Sequence, residues 1–271
     1  MFCSSPRFAF AVGGIYKVSS SVTFTEQKSS ASEFGVDFGY TLSLGRSTQF
    51  GLFAGVALQK SKISFALDGM TYSYTVHKYD PVNGSNFNEE DKSVDIVRNY
   101  NGLSATEGID YNNLVLPAYI SFDHKFGKAL AFTWSVGAKF YFNQATNVQP
   151  YTITGSVTQN GVSSSINQEF NQFLYPSYYN PDNSISLVGG AGFNINLFRS
   201  ALFLSIKANY EFGLGNVHSS DENNLYDRYS STYPLIYSTE SNKDIATRSF
   251  MDCVSFKRQA IWFEGGLMLK F

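Results

Sequence analysis

Large apolar residues recur at every second position in several segments of this chain. In residues 33–44 the even positions from Phe34 to Leu44 are large and apolar, whereas the odd positions carry glycine, acidic or hydroxyl residues. Side chains at i and i+2 share a face in a strand, whereas a helix distributes them around its circumference. Residues 129–142, 201–214 and the end of the chain repeat the alternation. The pattern predicts strands with one apolar and one polar face.

Four further segments follow the same rule less strictly, which brings the number of predicted strands to eight. The predicted strands cover residues 7–18, 33–44, 49–59, 114–123, 129–142, 185–197, 201–214 and 258–271. They are longer than the roughly 5–6 residues usual in globular sheets. A tilted strand needs about 9–11 residues to cross a bilayer, so each predicted strand is long enough to do so.

The connections between these strands alternate in length. Short turns occupy residues 45–48, 124–128 and 198–200, and long connections occupy about 19–32, 61–112, 143–184 and 215–257. Short turns on one side and long loops on the other are typical of outer-membrane barrels. A soluble β-sandwich also alternates, but the strand length and the loop asymmetry disfavour it. We therefore predict an all-β fold, a transmembrane antiparallel up-and-down barrel of eight strands. Residues 1–271 are expected to form a single barrel domain.

The composition excludes several other classes of protein. The chain has 25 Phe and 18 Tyr, and its 20 basic and 22 acidic residues leave a net charge of −2. A nucleic-acid-binding protein would show a basic excess, and a disordered chain would lack aromatic residues. Two cysteines are too few for a disulfide scaffold. The first residues lack the apolar core of a signal peptide, so an exported form is expected to have lost an upstream segment.

The last predicted strand carries a recognisable signature. Phe271, Leu269, Leu267 and Phe263 fall on one face. This arrangement resembles the C-terminal strand of bacterial outer-membrane β-barrels, and the resemblance implies that the barrel-assembly machinery reads these residues. Residues 111–119 are similar to a Tyr-Leu-x-Ile-Pro stretch of small Bacteroidota barrels. The whole plan resembles the OmpA/OmpX-like eight-stranded group, although the second to fourth loops are much longer. The resemblance implies a location in the bacterial outer membrane.

Alternation also predicts which charged residues face the barrel interior. The basic set is Arg7, Lys17, Lys139, Lys207 and Lys270, and the acidic set is Glu33, Asp37, Asp123, Glu211 and Glu264. An eight-stranded barrel is just wide enough for its own side chains, and buried charges must be paired. The balanced charge predicts a closed, salt-bridged interior. A narrow selective pore is the alternative.

The long loops also contain sequence patterns that predict local structure and contact residues. Asp68-Gly69 and Asn160-Gly161 lie between alternating runs, which predicts two hairpins that extend the barrel strands. Tyrosine offers a large contact area at a small entropic cost. The candidate partner-contact residues are Tyr72, Tyr74, Phe170, Phe173, Tyr175, Tyr178, Tyr179, Tyr226, Tyr229, Tyr233 and Tyr237. They form a protein or glycan contact surface, pack the loops together, or do both.

Catalytic and metal-binding patterns are weak. His77, His124 and His218 lack neighbours at metal-ligand spacing, and the acidic runs 89–91 and 221–222 match no calcium loop. We expect no cofactor, no metal and no enzymatic activity. A lipid- or peptide-modifying enzyme built on His77 or His218 is the less favoured alternative.

The sequence predicts a non-enzymatic structural or interaction component, such as an accessory subunit of a larger outer-membrane complex or a surface-binding protein. A small passive channel is the alternative. Expected partners are outer-membrane lipid and lipopolysaccharide, the barrel-assembly machinery during biogenesis, and a protein in the outer membrane or at the cell surface. Nucleic acid is not expected as a partner. The predicted topology places Cys3 and Cys253 at opposite ends of the barrel, so they should not form a disulfide within one chain.

Overall fold

The computed structural model describes residues 1–20, 24–79, 93–148, 151–159, 161–170, 182–198, 201–218 and 254–271. Eleven strands account for nearly all of these residues. The strands are β1 (Phe2–Val12), β2 (Tyr16–Ser20), β3 (Glu26–Ser43), β4 (Thr48–Tyr79), β5 (Ser93–Phe126), β6 (Leu130–Val148), β7 (Tyr151–Gln159), β8 (Val162–Phe170), β9 (Ser184–Phe198), β10 (Leu202–His218) and β11 (Val254–Lys270). Within this described part, no helix is long and apolar enough to cross a membrane.

Eight of these strands close into a ring. The order around the ring is β1, β3, β4, β5, β6, β9, β10 and β11, and every pairing is antiparallel. The ring closes between β1 and β11, where Arg7 lies opposite Gly266 and Phe10 lies opposite Phe263. Because the ring leaves no unpaired strand edge, it satisfies the backbone hydrogen bonds that lipid cannot satisfy. The predicted eight-stranded up-and-down barrel is confirmed.

The two ends of the ring differ in the length of their connections. At one end β3 joins β4 through residues 44–47, and β5 joins β6 through residues 127–129. At the other end the connections include the long extensions of β4 and β5 and the β7–β8 hairpin. In outer-membrane barrels the short turns face the periplasm and the long connections face the outside. The strands therefore run between a periplasmic end and an extracellular end.

β4 and β5 are much longer than the alternation predicts. The prediction ends β4 at residue 59 and starts β5 at residue 114, whereas the strands have 32 and 34 residues. Asp68-Gly69 does not form the expected hairpin turn, because β4 passes through it as a β-bulge. The register shifts between Leu67 and Met70, and Gly69 has a φ of +69°. A glycine at positive φ is typical of a bulge as well as of a turn, so the dipeptide alone does not distinguish them.

The second predicted hairpin is confirmed. β7 and β8 pair from end to end, with Gln159 opposite Val162 and Gly161 at a φ of +78°. β7 also pairs with β5 along Arg98–Ser104. Beyond the ring, the upper parts of β4 (70–79) and β5 (93–104) thus form one sheet with β7 and β8. We call these four segments the extracellular sheet.

The first predicted strand, residues 7–18, is interrupted. Gly13 and Gly14 adopt φ values of +77° and +102°, which ends β1 and starts β2 in a new phase. Tyr16 is buried in the barrel, whereas Lys17 is exposed and lies opposite Lys257 on β11. The prediction that Lys17 faces the interior is wrong, because two glycines at positive φ shift the side-chain alternation by one residue.

Candidate functional site in the lumen and the extracellular sheet

The outer surface of the ring carries an apolar band. Leu52, Val56 and Leu58 of β4 face outward, as do Leu114 and Leu116 of β5. The other exposed apolar positions include Phe8, Phe10, Phe34, Phe38, Trp134, Val136, Phe140, Leu187, Phe193, Ile206, Tyr210, Phe212, Ile261 and Phe263. Such a band around a closed barrel is the lipid-facing surface of an outer-membrane protein. The chain is therefore a transmembrane β-barrel of the bacterial outer membrane.

A network of ion pairs fills the middle of the lumen. Glu33 pairs with Arg7, and it accepts a hydrogen bond from Lys139 at 3.0 Å. The Nε atom of Arg7 also lies 2.9 Å from Oδ2 of Asp37. All four residues are more than nine-tenths buried. The pairing offsets the cost of removing these charges from water, as the balanced charge predicts.

A second buried cluster surrounds Arg258. Its guanidinium donates to Oε1 of Gln59 at 2.9 Å and to Oδ1 of Asn143 at 2.7 Å, and it lies 3.6 Å from the ring centroid of Tyr141. Sequence reasoning missed Arg258 as an interior residue. The signal was present, because Arg258 has the same even-numbered phase as the buried Trp262 on β11.

A third polar group lies at the periplasmic end of the lumen. Nζ of Lys270 donates to Oε1 of Gln49 at 3.0 Å and lies 3.7 Å from Oδ2 of Asp123. Asn194 donates to the other oxygen of Asp123 at 3.2 Å.

Among the charged residues predicted to face inward, only Lys17 is therefore outside the lumen. The barrel interior also holds the buried Glu107, which the prediction placed in a loop.

The extracellular end of the lumen is largely apolar, although the buried Glu107 of β5 lies at the same level. Ile63, Phe65 and Leu67 of β4 are at most 4% exposed, and Leu103 and Ile109 of β5 are at most 1% exposed. Their cluster, which we call the apolar cap, also contains Ile15, Tyr16, Tyr111, Val217, Val254 and Phe256. It formed no part of the prediction, because most of these residues lie in segments expected to be loops. The cap covers the polar lumen at its extracellular end.

Little empty space remains between the polar network and the barrel wall. A cavity of about 30 Å³ lies among Arg7, Tyr119, Lys139, Lys207 and Glu264. A single water needs about 10–15 Å³ of such volume, so this cavity has room for very few waters. Between the ion-pair network and the apolar cap, the described lumen is therefore packed with side chains. A larger pocket of about 400 Å³ lies at its periplasmic end, where Gln49, Asp123, Asn194 and Lys270 are among the lining residues.

Three of the candidate partner-contact residues lie in strands of the extracellular sheet. Tyr72 and Tyr74 are in β4, where their backbones pair with Tyr100 and Arg98. Phe170 ends β8. The remaining candidates lie outside the described residues and stay predictions; they are Phe173, Tyr175, Tyr178, Tyr179, Tyr226, Tyr229, Tyr233 and Tyr237.

The four residues of the predicted assembly signature share the outer face of the last strand. Phe263 and Leu267 are each 44% exposed, Leu269 is 38% exposed and Phe271 is 75% exposed. Their common face agrees with the sequence pattern. Their recognition by the assembly machinery stays a prediction.

The three histidines lie at different ends of the barrel. His77 is in the extracellular sheet and His218 ends β10, whereas Nδ1 of His124 lies 3.4 Å from the hydroxyl of Thr48 at the periplasmic end. In the part of the chain that the structure describes, no three His, Cys, Asp or Glu residues form a group suited to a metal. Cys3 is buried near the periplasmic end, and Cys253 lies outside the described residues.

Comparison with known proteins gives similarity at the level of structure alone. No protein-family model matches the chain, and no curated protein matches it. The outer membrane protein OprG from Pseudomonas aeruginosa is 8% identical, with a TM-score of 0.42, over 100% of this chain and 94% of that one. Neisserial surface protein A is 10% identical, with a TM-score of 0.37, over 100% and 97% of the two chains. The attachment invasion locus protein Ail of Yersinia pestis is 10% identical, with a TM-score of 0.26, over 98% of each chain.

Proposed function

We propose that this protein is a non-enzymatic binding component of the bacterial outer membrane. Its barrel is a closed anchor, and its extracellular sheet presents a contact surface to a protein or glycan partner. One observation carries the proposal: β4 and β5 continue as paired strands far beyond the apolar band. From Lys60 to Tyr79 in β4, and from Ser93 to Asn112 in β5, each strand has 20 positions. At about 3.3 Å per residue, that is roughly 65 Å of strand.

The β7–β8 hairpin widens this extension. β8 is the last strand on its side of the described sheet, where Val162 is 71% exposed and Ser163, Ser164 and Ser165 are also exposed. A bare membrane anchor does not need such an extension, because the ring satisfies its own backbone hydrogen bonds. The polar, accessible hairpin supports a role in contact with a partner outside the membrane.

The packed lumen disfavours a passive channel. A conducting barrel needs a continuous aqueous path, whereas here ion pairs and the apolar cap occupy the interior. In planar bilayers we expect the purified protein to show no steady conductance. A stable, reproducible conductance step would favour the channel over the closed anchor.

The binding role is tested by removing the hairpin while the ring stays intact. Residues 151–170 would be replaced by a short Gly-Ser linker, since β7 and β8 pair only with β5 and with each other among the described strands. Crosslinking in whole cells, followed by mass spectrometry, would compare partners captured by the two forms. We expect specific partners to be lost from the variant, although heat-modifiable migration shows a folded barrel. Identical partner sets would contradict the proposal.

Finer assignments belong to the same proposal. We infer a role as an accessory subunit of an outer-membrane complex from the size of the extracellular sheet, and a Bacteroidota origin rests on the resemblance of residues 111–119 alone. The outward face of Phe263, Leu267, Leu269 and Phe271 supports their recognition during barrel assembly.

A further inference from the structure

The upper limit of the apolar band follows one row of paired residues across four strands. Phe34 of β3 lies opposite Leu58 of β4, Leu58 lies opposite Leu114 of β5, and Leu114 lies opposite Phe142 of β6. All four side chains face outward and are exposed. Because lipid hydrocarbon covers such residues in the membrane, this row marks the hydrocarbon side of the boundary.

The next outward row is entirely polar. Ser32 lies opposite Lys60, Lys60 lies opposite Asn112, and Asn112 lies opposite Gln144. One further step along the strands, Lys62 faces outward between Ser30 and Asp110. On each of these four strands the change from apolar to polar takes place over two residues, whereas on β1 the residue opposite Ser32 is the apolar Phe10. This polar row therefore lies at the level of the lipid headgroups on the extracellular side.

Two shallow grooves run over these rows on the outer face. One groove, of about 700 Å³, lies between Leu58, Leu114 and Phe142 on its apolar side and Lys60, Asn112 and Gln144 on its polar side. The other, of about 550 Å³, extends past Lys60 to Lys62 and is lined by serine, asparagine and threonine residues together with Asp110. Lys60 borders both grooves. Together they form a continuous amphipathic surface, which we call the boundary groove.

The charge of the boundary groove favours an anion. Lys60 and Lys62 are exposed and form no ion pair with any residue that the structure describes. The acidic neighbour is Asp110, which lies opposite Lys62 and has an interaction of its own. The two lysines are about 7 Å apart along β4, so their flexible side chains can converge on one phosphate group.

We propose that the boundary groove binds the phosphorylated head of an outer-leaflet glycolipid of the lipid A type. Its acyl chains would pack on Phe34, Leu58, Leu114 and Phe142. Lys60 and Lys62 would contact the phosphate, while Ser32, Asn112 and Gln144 would donate to or accept from the sugar hydroxyls. The inference rests on the outer-membrane location and orientation of the proposed function, but not on the partner of the extracellular sheet.

The chemistry of the groove selects this occupant over a free anion. Two exposed lysines alone hold a phosphate weakly, because exposed ion pairs contribute only about 0–1 kcal/mol each. An amphiphile adds the contact of its acyl chains with the apolar row directly below, at a fixed distance from the lysines. Only a ligand that carries both a phosphate and acyl chains can contact the lysines and the apolar row at the same time.

Native mass spectrometry of the folded, detergent-solubilised protein tests the proposal with bisphosphorylated lipid A as the probe. The test variant combines Lys60→Gln and Lys62→Gln. The matched control combines Lys125→Gln and Lys128→Gln, which removes the same charge from exposed lysines at the periplasmic end. We expect the test variant to bind lipid A about fivefold to tenfold more weakly than the wild type, in line with two lost charge-assisted contacts. The control should bind as the wild type does.

Further arms identify the ligand chemistry. The variant with Lys60→Arg and Lys62→Arg keeps both charges and should retain binding, which assigns the loss in the glutamine variant to the missing charges. Heat-modifiable migration of the glutamine variant shows that its barrel is folded. Dephosphorylated lipid A should bind the wild type and the glutamine variant equally and weakly. The proposal is overturned if dephosphorylated lipid A binds as well as the phosphorylated form, if the periplasmic control loses as much, or if inorganic phosphate at equal concentration displaces the lipid. Because the readout needs no protein partner, its failure would leave the role of the extracellular sheet standing.

Discussion

In β4 and β5 the apolar side chains face outward in the lower part of the strands and inward in the upper part. In the lower part of β4, Leu52 and Leu58 face outward while Gln59 is buried in the lumen. In the upper part, Ile63 and Phe65 are buried and Lys62 is exposed. The strand and its alternation continue unchanged; only the polarity of the two faces is exchanged.

This exchange shows which solvent surrounds each part. In lipid, apolar side chains face outward and the interior can hold polar groups that pair with each other. In water, the apolar face must turn inward, as in any soluble sheet. The same two strands therefore serve as membrane wall below the boundary groove and as a soluble sheet with an apolar cap above it.

The largest expected effect comes from breaking the buried polar core of the membrane part. Glu33→Gln removes the charge that Arg7 and Lys139 share, so it should lower the free energy of unfolding by about 3–5 kcal/mol. Urea titration of the barrel in lipid vesicles measures this loss. The double variant Glu33→Gln with Lys139→Gln removes one charge of each sign and should recover part of it. Equal stability of the wild type and the single variant would show that the network contributes little.

A charge introduced on the outer face should lower the free energy of unfolding much more in the membrane part than in the extracellular part. Val136 is 47% exposed on the outer face of β6, and arginine at this position should cost about 2–4 kcal/mol if it lies near the membrane midplane. The matched variant Thr106→Arg places the same charge at an exposed position of β5 above the boundary, where about 0.5 kcal/mol or less is expected. Urea titration compares both. If Val136→Arg folds normally while Ser135→Arg does not, the assignment of the two faces is reversed.

A smaller change probes the packing of the apolar cap. Ile109 is fully buried, so Ile109→Val should cost about 0.5–1.5 kcal/mol through the lost methyl group. Leu116→Val on the lipid-facing side of the same strand is the control, because lipid chains fill the space that the shorter side chain leaves. Equal losses in the two variants would mean that the cap is no better packed than the lipid-facing surface.

The smallest effect is expected from reducing agents. Cys3 lies opposite Lys270 at the periplasmic end, whereas Val254, which follows Cys253, lies opposite Ser20 at the other end of β11. Sixteen residue steps along a strand span about 50 Å, and a disulfide needs Cα atoms within about 7 Å. The melting temperature should therefore be the same with and without reductant. Non-reducing peptide mapping that finds a Cys3–Cys253 bond within one chain would overturn the strand topology.

Local alternation was sufficient to predict the membrane part. From Phe34 to Leu44 the period of two identifies a strand and its apolar face, and the parity of Glu33 and Asp37 assigns them to the interior. These inferences hold because side-chain direction in a strand depends on position along the chain alone. They fail at Lys17 and at Asp68-Gly69, where glycines at positive φ shift the phase or form a bulge.

The extracellular part was decided by tertiary structure. Residues 61–112 contain polar stretches that indicate a loop by composition, yet Ser61–Tyr79 and Ser93–Asn112 extend the wall, because each strand supplies the hydrogen-bond partners of the other. Only this pairing brings Ile63, Phe65 and Leu103 together with Phe256 in the apolar cap. Likewise, Lys60, Asn112 and Gln144 form one row only through the register of β4, β5 and β6. Register joins residues distant in sequence, and no local pattern encodes it; that is why the sequence predicted the barrel but not its cap or its boundary groove.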